Sequence, residues 1–261
     1  MSETINSNPE KPAAGPKMPD ADQKADLRRN GKKWGIAQFF TGILVFITVV
    51  CVSVTVTLNC RALYRYDCSR LNIPEESGFS LELCLTNYDI LIDYNNLGGP
   101  DTLEFEEFPM SDGARIHFEE VRQIFIAIEW TAIFGGAASV ILAVFFLRKK
   151  QTWWMRVGGA AGLAVPLALG LLISADWYDV FIAFHHLMFD NDYWLFDPAT
   201  DPVILILPDA FFMHCAVMIV ALVMAAGAAL LILSFTLFRK ERSGGEKLSG
   251  RAGRTKTAAK I

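Results

Sequence analysis

Four histidines are the side chains best suited to chemistry in this 261-residue chain. His117 lies in SDGARIHFEEVRQIF, His185 and His186 lie in FIAFHHLMFDNDYWLFDPATDP, and His214 lies about one turn into the last apolar run. Imidazole titrates near pH 6.5, so at neutral pH it can accept a proton and return it. Histidines from distant parts of the chain would therefore suit a proton-transfer site if the fold brings them together.

Four long apolar segments indicate helices that cross a membrane. They cover residues 35–59, 124–147, 157–175 and 211–238. A helix needs roughly 20 residues to cross about 30 Å of hydrocarbon, and all but the third segment comfortably reach that length. The residues WYDVFIAF could extend the third. The sequence therefore predicts an all-α membrane bundle of four transmembrane helices.

Positive charges predict the orientation of this bundle. Nineteen of the 24 Lys and Arg residues lie in residues 1–34, in 148–156 and after Phe238, whereas the segment 176–210 has none. By the positive-inside rule, both termini and the middle loop face the cytoplasm. The predicted order is a disordered cytoplasmic tail (1–34), a first span (35–59), an extracytoplasmic domain (60–123), a second span (124–147), a cytoplasmic loop (148–156), a third span (157–175), a second extracytoplasmic segment (176–210), a fourth span (211–238) and a cytoplasmic tail (239–261).

The first extracytoplasmic segment, residues 60–123, has short apolar runs such as FSLELCL, YDILIDYN and TLEFEEF. These runs are broken by turn-forming residues, a pattern typical of short strands. The sequence therefore predicts a small β-rich domain here. Cys60, Cys68 and Cys84 also lie in this segment, and their pairing cannot be read from the sequence.

A metal site is a second interpretation of the histidines. Two or three imidazoles with a carboxylate from Glu120, Asp190 or Asp192 could hold zinc. The spacing argues against it, because adjacent histidines in a helix point in different directions and no HxxxH or HExxH motif occurs. We therefore expect no metal.

The chain resembles a known family of bacterial membrane proteins, the lipoprotein intramolecular transacylases (Lit). The likeness rests on NYDILIDYN, FPMSDGARIHFEEVRQIF and DWYDVFIAFHHLMFDNDYWLFDPATDPVILILPDAFF, and it covers roughly residues 35 to 240. It implies a multi-pass enzyme of the bacterial cytoplasmic membrane, without a cofactor, whose active site faces outside. Its partners would be a diacylated lipoprotein N-terminus and membrane lipid, with no nucleic acid, and the oligomeric state stays open.

The reaction implied by this resemblance moves the sn-2 acyl chain of a diacylglyceryl-cysteine to the α-amino group of the same residue. The family's two catalytic histidines correspond to His117 and His185, and segment 176–210 becomes the catalytic loop. His185 would act as the base, and protonated His117 would assist the oxyanion or the leaving oxygen. Supporting or substrate-binding roles are expected for Tyr88, Ser111, Glu120, Phe184, His186, Trp194, Asp197 and Asp201.

The chain departs from the family pattern at several positions. Glu120 stands where an aspartate is expected, and His186, Met188 and the three outer cysteines are further departures. An alternative from another class is a non-enzymatic four-helix membrane protein whose acidic ectodomain binds a partner or a cation. The distance between His117 and His185 discriminates the two, because the enzyme hypothesis requires them to meet.

Overall fold

Within residues 21–258, whose backbone the computed structural model describes, every regular element is a helix. Side chains are described for residues 32–171 and 173–237. The elements are α1 (Ala21–Leu58), α2 (Arg61–Arg70), α3 (Ile73–Ser77), α4 (Leu81–Asn95), α5 (Asp112–Arg148), α6 (Trp153–Ala175), α7 (Trp177–Met188), a short 3-10 helix (Pro202–Ile206) and α8 (Asp209–Ala258).

Four of these helices contain segments long and apolar enough to cross a membrane: Lys32–Leu58, Asp112–Arg148, Trp153–Ala175 and Asp209–Leu237. The prediction of four membrane helices is therefore confirmed. Large apolar side chains such as Phe134, Val140 and Ile141 are exposed along α5, as expected of a surface that faces lipid rather than water.

The disordered tails predicted from the sequence fall partly on residues 1–20 and 259–261, which lie outside the described residues. The helical backbone of α1 begins at Ala21 and that of α8 ends at Ala258, so both helices extend into the tails as the sequence defined them. Disorder at the two extreme ends stays a prediction.

The predicted β-rich domain is wrong: the described chain has no strand, and residues 61–95 form α2, α3 and α4. The N-terminus of α4 is capped by Ser80, whose hydroxyl accepts a hydrogen bond from the Leu83 N–H. The buried side chains of α4 include Cys84, Tyr88 and Leu91, whose spacing of four and three residues is helical. The runs FSLELCL and YDILIDYN therefore form the start and the body of a helix rather than strands.

The TLEFEEF segment is not a strand either. Its backbone is satisfied by a side chain, because the Asn87 amide donates to the Glu106 carbonyl at 3.0 Å and accepts from the Glu106 N–H at 2.7 Å. One buried side chain thus supplies the hydrogen bonds that a neighbouring strand would have given.

The helices α2 and α4 pack on the start of α8 through aromatic rings. Tyr64 stacks on Tyr88 with ring centroids 3.8 Å apart, and Phe211 meets both rings edge-on at 5.2 and 5.6 Å. The Tyr64 hydroxyl donates to the Ile206 carbonyl at 2.8 Å. The small helical domain therefore shares one core with the end of a membrane helix.

The membrane helices α6 and α8 approach closely at glycines. A Cβ atom added at Gly162 would lie 3.1 Å from the Gly227 Cα, and one added at Gly227 would lie 2.8 Å from the Gly162 carbonyl carbon. Such close packing is a common way to hold helices together in lipid. Because α6 leads directly into α7, this contact also sets the position of the helix that carries His185.

Candidate active site

The position of His117 is set by the way α5 begins. Ser111 is the N-cap, and its hydroxyl accepts from the Ala114 N–H at 3.1 Å. The Ser111 N–H in turn donates to Asp201 Oδ1 at 2.6 Å, and Asp201 Oδ2 accepts from the Thr200 hydroxyl at 2.8 Å. Asp201 is buried, so it anchors the start of α5 to the turn that follows α7. Ser111 and Asp201 thus position the helix that carries His117.

The orientation of His185 is set within α7. Its Nδ1 lies 2.7 Å from the Phe181 carbonyl oxygen one turn earlier. A carbonyl oxygen only accepts, so this contact assigns the proton of the neutral ring to Nδ1. The other ring nitrogen, Nε2, then carries a lone pair that can accept a proton.

The structure brings His117 and His185 together. Their ring centroids are 6.2 Å apart, and the ring of Phe189 lies 4.7 Å from the first and 5.9 Å from the second. Phe196 covers His117 from another side at 5.5 Å. His117 is only 7% exposed, so it is enclosed by protein rather than directed into lipid. The condition that the enzyme hypothesis requires is met.

The two histidines differ in their hydrogen-bond partners and in their local environment. His117 Nδ1 is buried and has no hydrogen-bond partner among the described residues. Burial lowers the pKa of His185 below its usual value, the hydrogen bond to Phe181 raises it, and neighbouring His186 lowers it. His185 is therefore neutral at neutral pH, the form that accepts a proton.

A second set of contacts joins the histidines to Glu120. The Trp194 ring lies 4.6 Å from the His185 ring, and its indole N–H donates to the Asn191 carbonyl at 3.1 Å. The Asn191 amide donates to Glu120 Oε1 at 2.9 Å. Sequence reasoning missed Asn191, because an asparagine in a turn is ordinary and its partner lies 71 residues earlier.

The remaining residues predicted for the site lie at different distances from the pair. Phe184 is half exposed, with its ring 5.5 Å from that of His185. His186 is exposed and meets Trp194 edge-on at 5.4 Å. Asp197 is exposed and caps its own turn by accepting from the Ala199 N–H at 2.9 Å. Tyr88 lies in the core of the helical domain, outside the aromatic contacts of both catalytic candidates.

His214 contacts a buried carboxylate. Its Nδ1 lies 2.9 Å from both carboxylate oxygens of the fully buried Asp67. This contact joins α8 to α2.

Within the described part of the chain, no group of three or more His, Cys, Asp or Glu residues is arranged to hold a metal ion.

The fold and the site together define a class: a polytopic membrane protein with two imidazoles enclosed by aromatic rings near the ends of its helices, an arrangement suited to proton transfer. The family model for "Lipoprotein intramolecular transacylase Lit" matches residues 39–212, about two thirds of the chain. The chain belongs to this family, as its motifs suggested. It is therefore a membrane-integral enzyme, a lipoprotein intramolecular transacylase, and the non-enzymatic alternative is not supported.

Solved structures agree with this assignment. The chain is similar to the membrane integral lipoprotein intramolecular transacylase Lit from Bacillus cereus, with 29% identity and a TM-score of 0.79 over 82% of this chain and 99% of that one. Two structures of that protein with one histidine replaced, by arginine and by alanine, match at 28% identity and TM-scores of 0.76, over 85% and 84% of this chain and 99% of each of theirs. No curated protein sequence matches the chain.

Proposed function

We propose that the enzyme transfers the sn-2 acyl chain of a lipoprotein's diacylglyceryl-cysteine to the α-amino group of that cysteine, with His117 and His185 as the catalytic pair. The observation that carries the proposal is the pairing of the two rings at 6.2 Å, with Nε2 of His185 free to accept a proton. Membership of the transacylase family supports the assignment of this reaction to the pair.

Proton transfer is the first requirement of this reaction, because an ammonium group has no lone pair to attack an ester. His185 Nε2 takes one proton from the substrate ammonium and passes it to water. The neutral amine then attacks the ester carbonyl carbon, which forms the new nitrogen–carbon bond. A second proton leaves the nitrogen and reaches the departing glycerol oxygen through the imidazole as the carbon–oxygen bond breaks.

Stabilisation of the tetrahedral intermediate is the second requirement. Its oxyanion needs a hydrogen-bond donor held in place before the reaction. His117 is fixed by the α5 cap and by the rings around it, and its buried ring nitrogen has no partner among the described residues. We assign the oxyanion contact to this ring.

The transfer takes place within one molecule, and this reduces what the protein must supply. Ester and amine are carried by the same cysteine, so holding the substrate in a reactive conformation contributes much of the rate. Few catalytic side chains are therefore required.

The apolar surface of α7 suits the acyl chains of the substrate. Phe184, Leu187 and Met188 are 52%, 82% and 39% exposed, and the Phe184 ring lies 5.5 Å from that of His185. Trp194 is buried, with its ring 4.6 Å from that of His185. We assign these side chains to acyl contacts.

The proposed location is the bacterial cytoplasmic membrane, with the histidine pair facing outside. The uneven distribution of Lys and Arg supports this orientation. His117 lies in the first turns of α5, at the end of the helix opposite Arg148. In the proposed orientation this end of α5 lies at the outer surface of the membrane. The ester groups of an inserted lipid anchor lie at the same level of the outer leaflet, so the substrate can reach the histidines.

The proposal is tested by mass spectrometry of the N-terminal peptide of a reporter lipoprotein from cells that express the enzyme. Wild type is expected to give an N-acyl, monoacylglyceryl cysteine, and His117→Ala and His185→Ala to leave the diacylglyceryl form. Glu119→Gln is the control, because this exposed carboxylate is paired with Arg115 and is expected to leave transfer unchanged. An unchanged diacylglyceryl cysteine with well-expressed wild type would refute the proposal.

A further inference from the structure

Glu120 carries a carboxylate oxygen that the described chain leaves unsatisfied. Its Oε2 is buried and has no hydrogen-bond partner among the described residues, whereas Oε1 accepts from Asn191. A buried charged atom without a partner is costly, so such an atom is uncommon unless a ligand completes it.

Glu120 lies on the same helix as His117, one member of the histidine pair. Glu120 follows His117 by three residues on α5, and residues at this spacing lie on the same face of a helix. His117 also has an unpartnered buried nitrogen. Two unsatisfied polar atoms therefore belong to residues on one face of α5, and the ring of His117 lies 6.2 Å from that of His185.

Asn191 holds Glu120 in a defined orientation. Its Oδ1 accepts from the Tyr193 N–H at 3.1 Å, so its amide N–H group is the part that faces Glu120. The backbone carbonyl of Asn191 accepts a hydrogen bond from the indole N–H of Trp194, and the Trp194 ring lies against that of His185. The same residue thus fixes both the carboxylate and the ring that packs on the proposed base.

The nearby arginines on α5 make their hydrogen bonds and ion pairs with other groups, although Arg122 Nε is buried without a partner among the described residues. Arg115 contacts Asp112 and Glu119. Arg122 donates to the carbonyls of Gly99 and Asp101, and its guanidinium lies 4.6 Å from the centroid of the Tyr94 ring. Among the described residues no Lys or Arg forms an ion pair with Glu120, which leaves Oε2 available to a cationic ligand.

We infer that Glu120 binds the α-ammonium group of the substrate's N-terminal cysteine and directs it toward His185. The inference rests on the proposed function, since it assigns a receptor to the nucleophile of that reaction. An ammonium has three N–H donors. One N–H donates a charge-assisted hydrogen bond to Glu120 Oε2, and another donates to His185 Nε2.

Glu120 does not change the proton balance of the reaction. After His185 has taken one proton, the neutral amine still donates an N–H to the carboxylate. This contact keeps the nitrogen beside the ester, with its lone pair available for the attack. Glu120 is thus a substrate-binding residue, and the proton transfer stays with the imidazole.

The test uses purified full-length enzyme and an unreactive substrate analogue, a dialkylglyceryl-cysteinyl peptide whose ether chains cannot be transferred. Its dissociation constant is compared with that of the same peptide in which hydrogen replaces the α-amino group. Wild type is expected to bind the amino form about tenfold more tightly, the usual effect of a hydrogen bond to a charged group. Glu120→Gln keeps an oxygen for Asn191 and is expected to reduce this preference to about twofold or less.

Two further variants test whether the preference for the amino form depends on the charge of Glu120 in particular. Glu119→Gln changes the neighbouring carboxylate, which is exposed and paired with Arg115, and is expected to keep the full preference. Glu120→Asp retains the charge and is expected to restore part of it. The inference is overturned if wild type shows no preference for the amino form, or if Glu120→Gln retains the tenfold preference.

Failure of this inference and failure of the proposed function are distinguishable. Acyl transfer by wild type on the diacyl substrate tests the reaction, whereas the ether analogues test only recognition of the amine. A wild type that forms N-acyl product while Glu120→Gln discriminates normally refutes the role of Glu120 alone.

Discussion

The carboxylate of Asp201 accepts a hydrogen bond from the backbone N–H of Ser111 at 2.6 Å, across 90 residues of sequence. This contact joins the turn that follows α7 to the first residue of the α5 cap. Because α5 carries His117 and α7 carries His185, the bond helps to set the distance between the two rings. The geometry of the candidate site therefore depends on a carboxylate whose hydrogen bonds go to Ser111 and Thr200 rather than to either histidine.

Replacing Asp201 tests this relationship. Asp201→Ala leaves the Ser111 N–H without its acceptor, and we expect a loss of about 1–2 kcal/mol in the free energy of unfolding. The rate of acyl transfer should fall as well, because the start of α5 is released. Asp201→Asn, which keeps an acceptor oxygen, should restore part of both. Thermal unfolding and product formation measure the two effects, and Asp197→Ala, in the exposed part of the same turn, is the control. Unchanged stability and rate in Asp201→Ala would show that the contact is dispensable.

The pH dependence of the reaction follows from the environment of His185. Burial lowers the pKa of this ring, so the ring stays neutral to a lower pH than a free imidazole. As the pH falls, kcat/KM should decline only once it passes through this lowered value, below about 6.5. A pH–rate profile of the purified enzyme checks the position of this acidic limb. A limb well above pH 6.5 would conflict with the assignment of His185 as the base.

His214 should support the fold rather than the reaction. His214→Ala removes the hydrogen-bond partner of the fully buried Asp67 carboxylate, and leaving such an acceptor unsatisfied costs about 1–3 kcal/mol. We expect a lower unfolding temperature, with acyl transfer per folded molecule retained. The exposed His186 is the matched comparison, since His186→Ala should leave stability unchanged. Wild-type stability of His214→Ala would contradict the pairing.

The cysteines of the helical domain should differ in reactivity. The five cysteines are free thiols, and Cys68 and Cys84 are buried. Burial raises the pKa of Cys68 to about 11, with nearby Cys84 adding to the shift and the Tyr64 hydroxyl opposing it. Since the thiolate is the reactive form, Cys68 should react with a maleimide at least about tenfold more slowly than the partly exposed Cys60. Peptide mass spectrometry over a time course measures both, and equal rates in the folded protein would show that Cys68 is accessible.

The membrane helices were predictable because a single requirement, the thickness of the hydrocarbon layer, fixes their length and composition. The helical domain was not, since the short apolar runs around Cys84 and Tyr88 fit either period and the side chains that bury them come from α2 and α8. The Ser80 cap was the local signal for a helix there.

The candidate site, like the fold, could be predicted only in part from the sequence. His117 and His185 were found from residue type and motif, because few other groups transfer protons at neutral pH. The contact of Asn191 with Glu120 joins residues 71 positions apart, and no local pattern encodes it. Tyr88, which lies in a motif shared with the family, proved to be part of the core that α2, α4 and α8 share.

The central claim is that the sn-2 acyl chain, rather than the sn-1 chain, moves to the α-amino group of the lipoprotein cysteine, and isotope labelling tests it most directly. Purified enzyme is given a lipoprotein peptide with a deuterated chain at sn-2 and an unlabelled chain at sn-1, and the product is fragmented in a mass spectrometer. The account predicts deuterium in the N-acyl group and an unlabelled chain on the remaining glycerol ester, with no transfer by His185→Ala. An unlabelled N-acyl group, or a label that stays on glycerol, would contradict it.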